Sequence, residues 1–235
     1  MSEWKVKRFW KAAQVAQTDT GFSIRLDSRP VRTPAKVLLE VPTEALAEAV
    51  AAEWDAQSDA VNPATMPVTR AANAAIDKVA VQFGEVAGML AAYGDSDLTC
   101  YRAAEPWELA ERQAAAWNPL LDWAADHFGA RLIPRVGVIH QPQSEGALGR
   151  LAAPLRSMNA FELTAMHDLV SLSGSLIIGL AASENAWPVG DLWKWSRIDE
   201  DWQVEQWGKD EEASAQALQK ADAFRQAARF LALAR

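Results

Sequence analysis

Over the first 41 residues, apolar positions recur mostly at every second place, the spacing of a strand covered on one face. The alternation runs from Lys5 to Trp10 and again through Phe22, Ile24 and Leu26, with a short apolar strand at 37–41. Thr18-Asp19-Thr20-Gly21 and Asp27-Ser28-Arg29-Pro30 carry the residues that turns require. These segments predict a small antiparallel sheet or meander.

From Pro42 onward the period changes to three and four. Thr43 is placed to cap a helix on which Leu46, Val50 and Trp54 share one face. After a proline-bounded loop at 62–67, one helix is predicted from Thr69 through Ile76, Val79, Phe83, Val86 and Leu90 to a stop at Gly94. Pro106 opens the next helix, which Pro119 must kink or restart before it ends at Gly129. Residues 131–140 read as a short strand or extended link, and 144–155 as a weakly patterned helix. Asn159 with Glu162 forms a capping-box pattern for a helix carrying the uncharged run 169–183. Two more follow: 191–207, stopped by Gly208, and a last helix whose first turn holds Asp210, Glu211 and Glu212 and whose buried stripe is Ala217, Ala221, Phe224, Ala228 and Leu231. Strands first and helices after give an α+β fold. The expected division is an N-terminal α+β domain at 1–80 and a helical domain at 81–235.

Composition narrows the function. The 235 residues are 50% hydrophobic and 23% charged, enough for a sizeable core, and carry a net charge of −8. An acidic chain is a poor match for nucleic acid or an anionic membrane. The one cysteine, Cys100, fits a reducing compartment and allows neither a disulfide framework nor a multi-cysteine metal site. The N-terminus lacks the pattern of a signal or transit peptide, so the expectation is a soluble cytoplasmic protein, or a mitochondrial-matrix one after removal of a leader. The apolar run 169–183 is too short and too rich in serine and glycine to span a bilayer.

Residues suited to chemistry are sparse. No G-x-G-x-x-G, P-loop or G-x-S-x-G pattern occurs. His127, His140 and His167 are dispersed, and none has a partner at metal-ligand spacing. His167 and Asp168 are adjacent, so a helix directs them differently. Ser173-Gly174-Ser175 sits in an apolar helical pattern, where small residues serve close helix approach. The apolar neighbours of Cys100 indicate a structural thiol. No catalytic residue, cofactor or metal ligand is assigned.

Charge is unevenly distributed. The first 41 residues hold eight basic and four acidic residues, and an RNA-binding sheet is the weak functional reading of that bias. Segment 199–212 holds seven acidic residues, one lysine, and the interleaved Trp202 and Trp207, in a chain with 11 tryptophans against 2 tyrosines. A solvated helix end explains these acids, and so does an acidic-aromatic docking surface. A small hydrolase using the Asp199–Glu212 carboxylates is the alternative, which needs two of them in a concave pocket.

Several long motifs occur in one order: Arg8-Phe9-Trp10-Lys11, the run GFSIRLDSRPVRTP at 21–34, AEWDAQ at 52–57, NPATMP at 62–67, DLTCYR at 97–102, WNPLLDW at 117–123, LSGSL at 172–176 and DEDWQVEQWGKDEE at 199–212. Together they resemble, over nearly the whole chain, the assembly chaperones of the F-type ATP synthase catalytic sector, in particular the member that binds the free alpha subunit. The resemblance implies an α+β domain followed by an orthogonal helical bundle. It implies a monomer that chaperones without cofactor or reaction, and that shields the alpha subunit until the beta subunit replaces it. It associates the partner surface with Trp202, Glu205, Trp207, Asp210, Glu211 and Glu212. Ser28, where glycine is usual, and Lys209, where an acid is commoner, are mild departures.

Overall fold

The computed structural model describes residues 7–235, which group into two compact units. One comprises the chain up to Phe83 with residues 159–165 and 229–235; the other comprises 84–158 and 166–228.

In the first unit, β1 (Ala13–Gln17), β2 (Phe22–Leu26), β3 (Arg29–Pro30) and β4 (Glu40–Val41) form an antiparallel sheet centred on β2. Val15 lies opposite Ile24, Leu26 opposite Arg29, and Phe22 opposite Val41. Asp27 turns β2 into β3 with φ 54°, a left-handed conformation an aspartate tolerates, and its carboxylate accepts from the amides of Lys11 and Ala12. Ile24 and Leu26 are buried, as their spacing predicts. The strand expected at 5–10 lies partly outside the described residues. Within them, Lys7 makes an isolated bridge to Ala60, and Arg8–Trp10 form no strand. The unpredicted β1 supplies that edge instead; its polar alternation, with no fully buried residue, hides it from a hydrophobicity reading.

Helix α1 (Glu44–Asp55) covers the sheet. Thr43 caps it, accepting from the Leu46 amide at 3.2 Å, and its hydroxyl donates to the Leu233 carbonyl. Glu53 reaches from α1 to the start of α2 (Pro67–Ala74), where it accepts from the Val68 and Thr69 amides at 2.8 and 2.7 Å. That carboxylate satisfies donors a helix N-terminus leaves open. The helix expected from Thr69 to Gly94 is three pieces: α2, a π-helical turn at Ala75–Val79, and α3 (Phe83–Ala92). The apolar period runs on across the breaks, which is why it reads as one helix. The first unit also takes the capping box at Asn159, whose amide donates to Glu162 at 2.8 Å, and an ion pair from Arg235 to Glu162 at 2.9 Å.

The second unit is built around α4 (Trp107–Phe128), which continues through Pro119 without restarting and ends at Gly129 (φ 65°). Against it pack α7 (Leu176–Ser183), α8 (Val189–Trp195) and α9 (Ile198–Trp207). The remaining helices are α5 (Glu145–Ser157), α6 (Ala160–Ser173) and α10 (Glu211–Ala234), with α6 and α10 contributing residues to both units. A parallel pair, β5 (Tyr101–Arg102) and β6 (Arg135–Val136), lies beside them. The apolar run 169–183 is split at Gly174 (φ 70°), and every residue of α7 is buried. The segment read as one helix over 191–207 is likewise two, α8 and α9.

Asp97 stitches the α6–α7 break. It is wholly buried, and accepts from Thr99 N (3.0 Å), Thr99 Oγ1 (2.7 Å), Ser175 Oγ (2.7 Å) and Ile177 N (3.0 Å). Burial pushes its carboxyl above the usual 3.8, and those hydrogen bonds pull the other way. Ser173 and Ser175 are thus parts of a helix junction: Ser173 bonds back to the Leu169 carbonyl, and Ser175 caps α7 through the Ile178 amide.

Candidate docking site

The acidic-aromatic segment occupies α9 and the start of α10. Gln113 on α4 donates to Asp199 at 2.6 Å, and the Trp117 indole donates to the Trp195 carbonyl at 2.8 Å. Arg112 completes the attachment. Its Nη1 lies 2.8 and 2.7 Å from the two Glu205 oxygens, and its guanidinium sits 4.8 Å from the Trp202 ring centroid. α4 and α9 therefore run antiparallel through this contact: residues 113 and 112 of α4 meet 199 and 205 of α9, while Trp117 of α4 meets Trp195 at the end of α8.

This geometry divides the six residues associated with a partner. Trp202 is half-buried beneath Arg112, and Glu205 is neutralised by the same arginine. Two helical positions advance about 200°, so Trp207 points away from Glu205. It shares the other side of α9 with Val204, three residues back, and is 80% exposed. Gly208 (φ 91°) ends α9, and Asp210 caps α10, accepting from the Ala213 amide at 2.7 Å. Glu211 and Glu212 lie in that helix's first turn, where the dipole favours them. Every residue from 203 to 213 is exposed, a continuous stretch of helix, corner and helix.

Arg112 is the member a linear reading misses, because it lies 93 residues from Glu205 and no local pattern marks it. The other acids of the segment also have structural roles: Glu200 pairs with Arg197 at 2.7 Å, and partial burial raises the Asp201 pKa, with Arg197 lowering it and Glu205 raising it. A shallow cleft lined by Ala104, Glu105, Pro106 and Trp107 contains one carboxylate, Glu105, and none of the acids at 199–212.

The other residues considered for chemistry are separated. His127 stacks on Trp123 at 5.3 Å, and His140 bonds Asp95 at 3.3 Å and the Tyr101 hydroxyl at 3.1 Å. His167 and Asp168, expected to diverge, meet at 3.0 Å. That hydrogen bond raises the His167 pKa, with burial opposing it. Cys100 is buried, and burial pushes its thiol up to about 12. Among the described residues, no group of three or more histidine, cysteine or acidic side chains could hold a metal ion, and no helix is long and apolar enough to cross a membrane.

Comparison with known proteins agrees with this frame. Residues 7–125 match the family described as ATP12 chaperone protein. The Atp12 crystal structure from Paracoccus denitrificans superposes with a TM-score of 0.96 at 48% identity, covering 99% of this chain and 100% of that one. A lysine-for-aspartate mutant of the same Paracoccus protein gives 0.97 at 48% identity, with both chains fully covered. A protein from Agrobacterium tumefaciens gives 0.93 at 41% identity over 97% of this chain and 86% of that one. With half its length matched by the family and its whole fold shared at 48% identity, this chain belongs to the ATP12 chaperone family, the assembly chaperones of the ATP synthase.

Proposed function

We propose that this chain binds the unassembled alpha subunit of the ATP synthase catalytic sector and keeps it from aggregating until the beta subunit takes its place. Family membership supplies the process. The observation that carries the binding role is the exposed stretch 203–213, in which Trp207 and Val204 stand among acids on a helix corner. An orphan alpha subunit presents apolar surface meant for its neighbour, and such surface aggregates when free. Covering it in the folded subunit holds down the free, aggregating fraction by mass action. Release to the beta subunit requires an interface weaker than the final one, which suits a small aromatic anchor with a charged rim. The chain acts as a monomer, by contact alone, through Trp202, Glu205, Trp207, Asp210, Glu211 and Glu212.

The test is capture and solubility of purified alpha subunit with wild-type chaperone, Trp207→Ala and Glu205→Lys. Glu205→Lys sets a lysine against Arg112, and a half-exposed pair of this kind contributes at most about 1 kcal/mol. Both variants are expected to melt close to wild type and to lose capture. Alpha subunit that stays equally soluble alone, and forms no complex with the wild type, overturns the proposal.

A further inference from the structure

The chain has a second exposed apolar surface that the acidic segment does not include. Within 133–139, Ile133, Val136, Val138 and Ile139 are 54, 71, 89 and 79% exposed. Four large aliphatic side chains turned to solvent within seven residues are more than the scattered exposure normal for a surface.

The loop that carries them is held firmly at its base. The Gln143 side-chain amide donates to the Ile133 carbonyl at 3.0 Å and accepts from the Ile133 amide at 2.9 Å, closing the two ends on each other. The Gln143 backbone amide donates to Asp95 at 2.7 Å, and His140 is held by Asp95 and Tyr101. The tip is presented by a fixed frame.

β6 also offers an open edge. Gly137 donates to the Arg102 carbonyl at 2.9 Å, so residues 135 and 137 turn their peptide groups toward β5. Val136 therefore turns its amide and carbonyl the other way, toward the edge that has no neighbouring strand among the described residues. Val138 and Ile139 have no hydrogen-bond partner among the described residues.

Charge selects the occupant. From Ala130 to Ser144 there are two arginines, one histidine and no acid, in a chain whose net charge is −8. Arg131 pairs with Asp122, but neither Arg135 nor Arg102, on the adjoining strand, forms an ion pair among the described residues. Arg102 is 9% exposed, bonds the Thr99 carbonyl and lies over Trp117, yet its Nη2 is unpartnered, as is Arg135 Nε. Arg135, partly exposed on β6 itself, and Arg102 beside it lack counter-charge, which favours an incoming carboxylate. A second copy pairing edge to edge through the same strand would set Arg135 against Arg135.

We propose that the β6 edge, Arg135–Ile139, receives an extended segment of the client polypeptide, adding to the sheet as a strand and carrying apolar side chains and a carboxylate. Strand addition derives affinity from main-chain hydrogen bonds and selectivity from alternate side chains. The inference rests on the alpha-subunit reading above, and gives the chaperone two separate contacts with one client.

The experiment measures binding of purified alpha subunit to wild type, to Val138→Asp/Ile139→Asp, and to Val138→Leu/Ile139→Leu. Thermal melts confirm that each variant folds. The aspartate pair is expected to weaken capture tenfold or more, and the leucine pair to retain it. Capture unchanged in the aspartate pair, with the wild type binding, overturns this inference and leaves the alpha-subunit reading standing. A concentration-dependent dimer that the aspartate pair abolishes assigns the edge to a second copy and overturns it too. No capture by the wild type overturns both.

Discussion

Replacing Asp97 with alanine isolates what one buried carboxylate does for the second unit. Four donors lose their acceptor at a site with 0% exposure: the Thr99 and Ile177 amides and the Thr99 and Ser175 hydroxyls. The hydroxyls can rotate toward other acceptors; the amides cannot. Each orphaned buried amide costs about 1–3 kcal/mol. Relief from burying the carboxylate offsets part of this, so a net loss of about 3 kcal/mol is expected, a large share of the ~5–15 kcal/mol that holds a typical domain. With a urea slope of about 3 kcal/mol/M, the unfolding midpoint at pH 7 should fall by about 1 M. Tryptophan fluorescence is a convenient probe because Trp117 is fully buried in this unit. The dependence on pH has a definite sign. The folded pKa is raised above 3.8, so the folded state binds the proton more readily and ionisation costs it stability. The wild type's advantage over Asp97→Ala is therefore greatest in acid, and shrinks as pH rises through the raised value. A midpoint shift below about 0.3 M at pH 7 would refute the reasoning, because it implies losses well under those expected for orphaned buried amides.

Two further perturbations probe other contacts. A proton NMR titration should place His167 above 6.5, and Asp168→Asn should bring it back down, since the hydrogen bond to Asp168 is the main cause of the shift. The stability this pair contributes is present below 6.5 and is lost as pH rises through the folded value; an unshifted His167 would rule the contact out in solution. Gly179→Ala places a methyl 2.6 Å from Val170 Cγ2 and 3.3 Å from Met166 Cε, and overpacking of this kind should cost about 1–3 kcal/mol in a urea titration. An unchanged midpoint would show that α6 and α7 yield easily.

What could be read in advance follows from distance along the chain. Thr43 before Leu46, and Asn159 with Glu162, are contacts within three residues, and the side chains that make them announce themselves. The same holds for Gly129 and Gly208, each with positive φ at a helix end. The breaks inside apolar runs did not show. Gly174 splits 169–183 because Asp97, 78 residues from Ser175, supplies a cap there. The candidate surface behaves alike. Its acidic-aromatic composition is local and legible, but the rotation that sends Trp207 outward and Glu205 onto Arg112 depends on α4, far away in sequence. From the sequence, residues 131–140 suggest only a strand or link, because exposure of Val138 and Ile139 is a property of the fold and not of their hydrophobicity.

Helix α7 has no side facing water: all eight of its residues are buried, from Leu176 to Ser183. Eight residues are too few to hold a helix in isolation, so this one exists only while its surroundings do. Solvent reaches its amides only when the helices around it separate, and exchange there should be the slowest in the second unit, reporting the free energy of opening that unit as a whole. An assembly chaperone thus keeps a strongly apolar stretch of its own enclosed, exposed only when the unit around it comes apart.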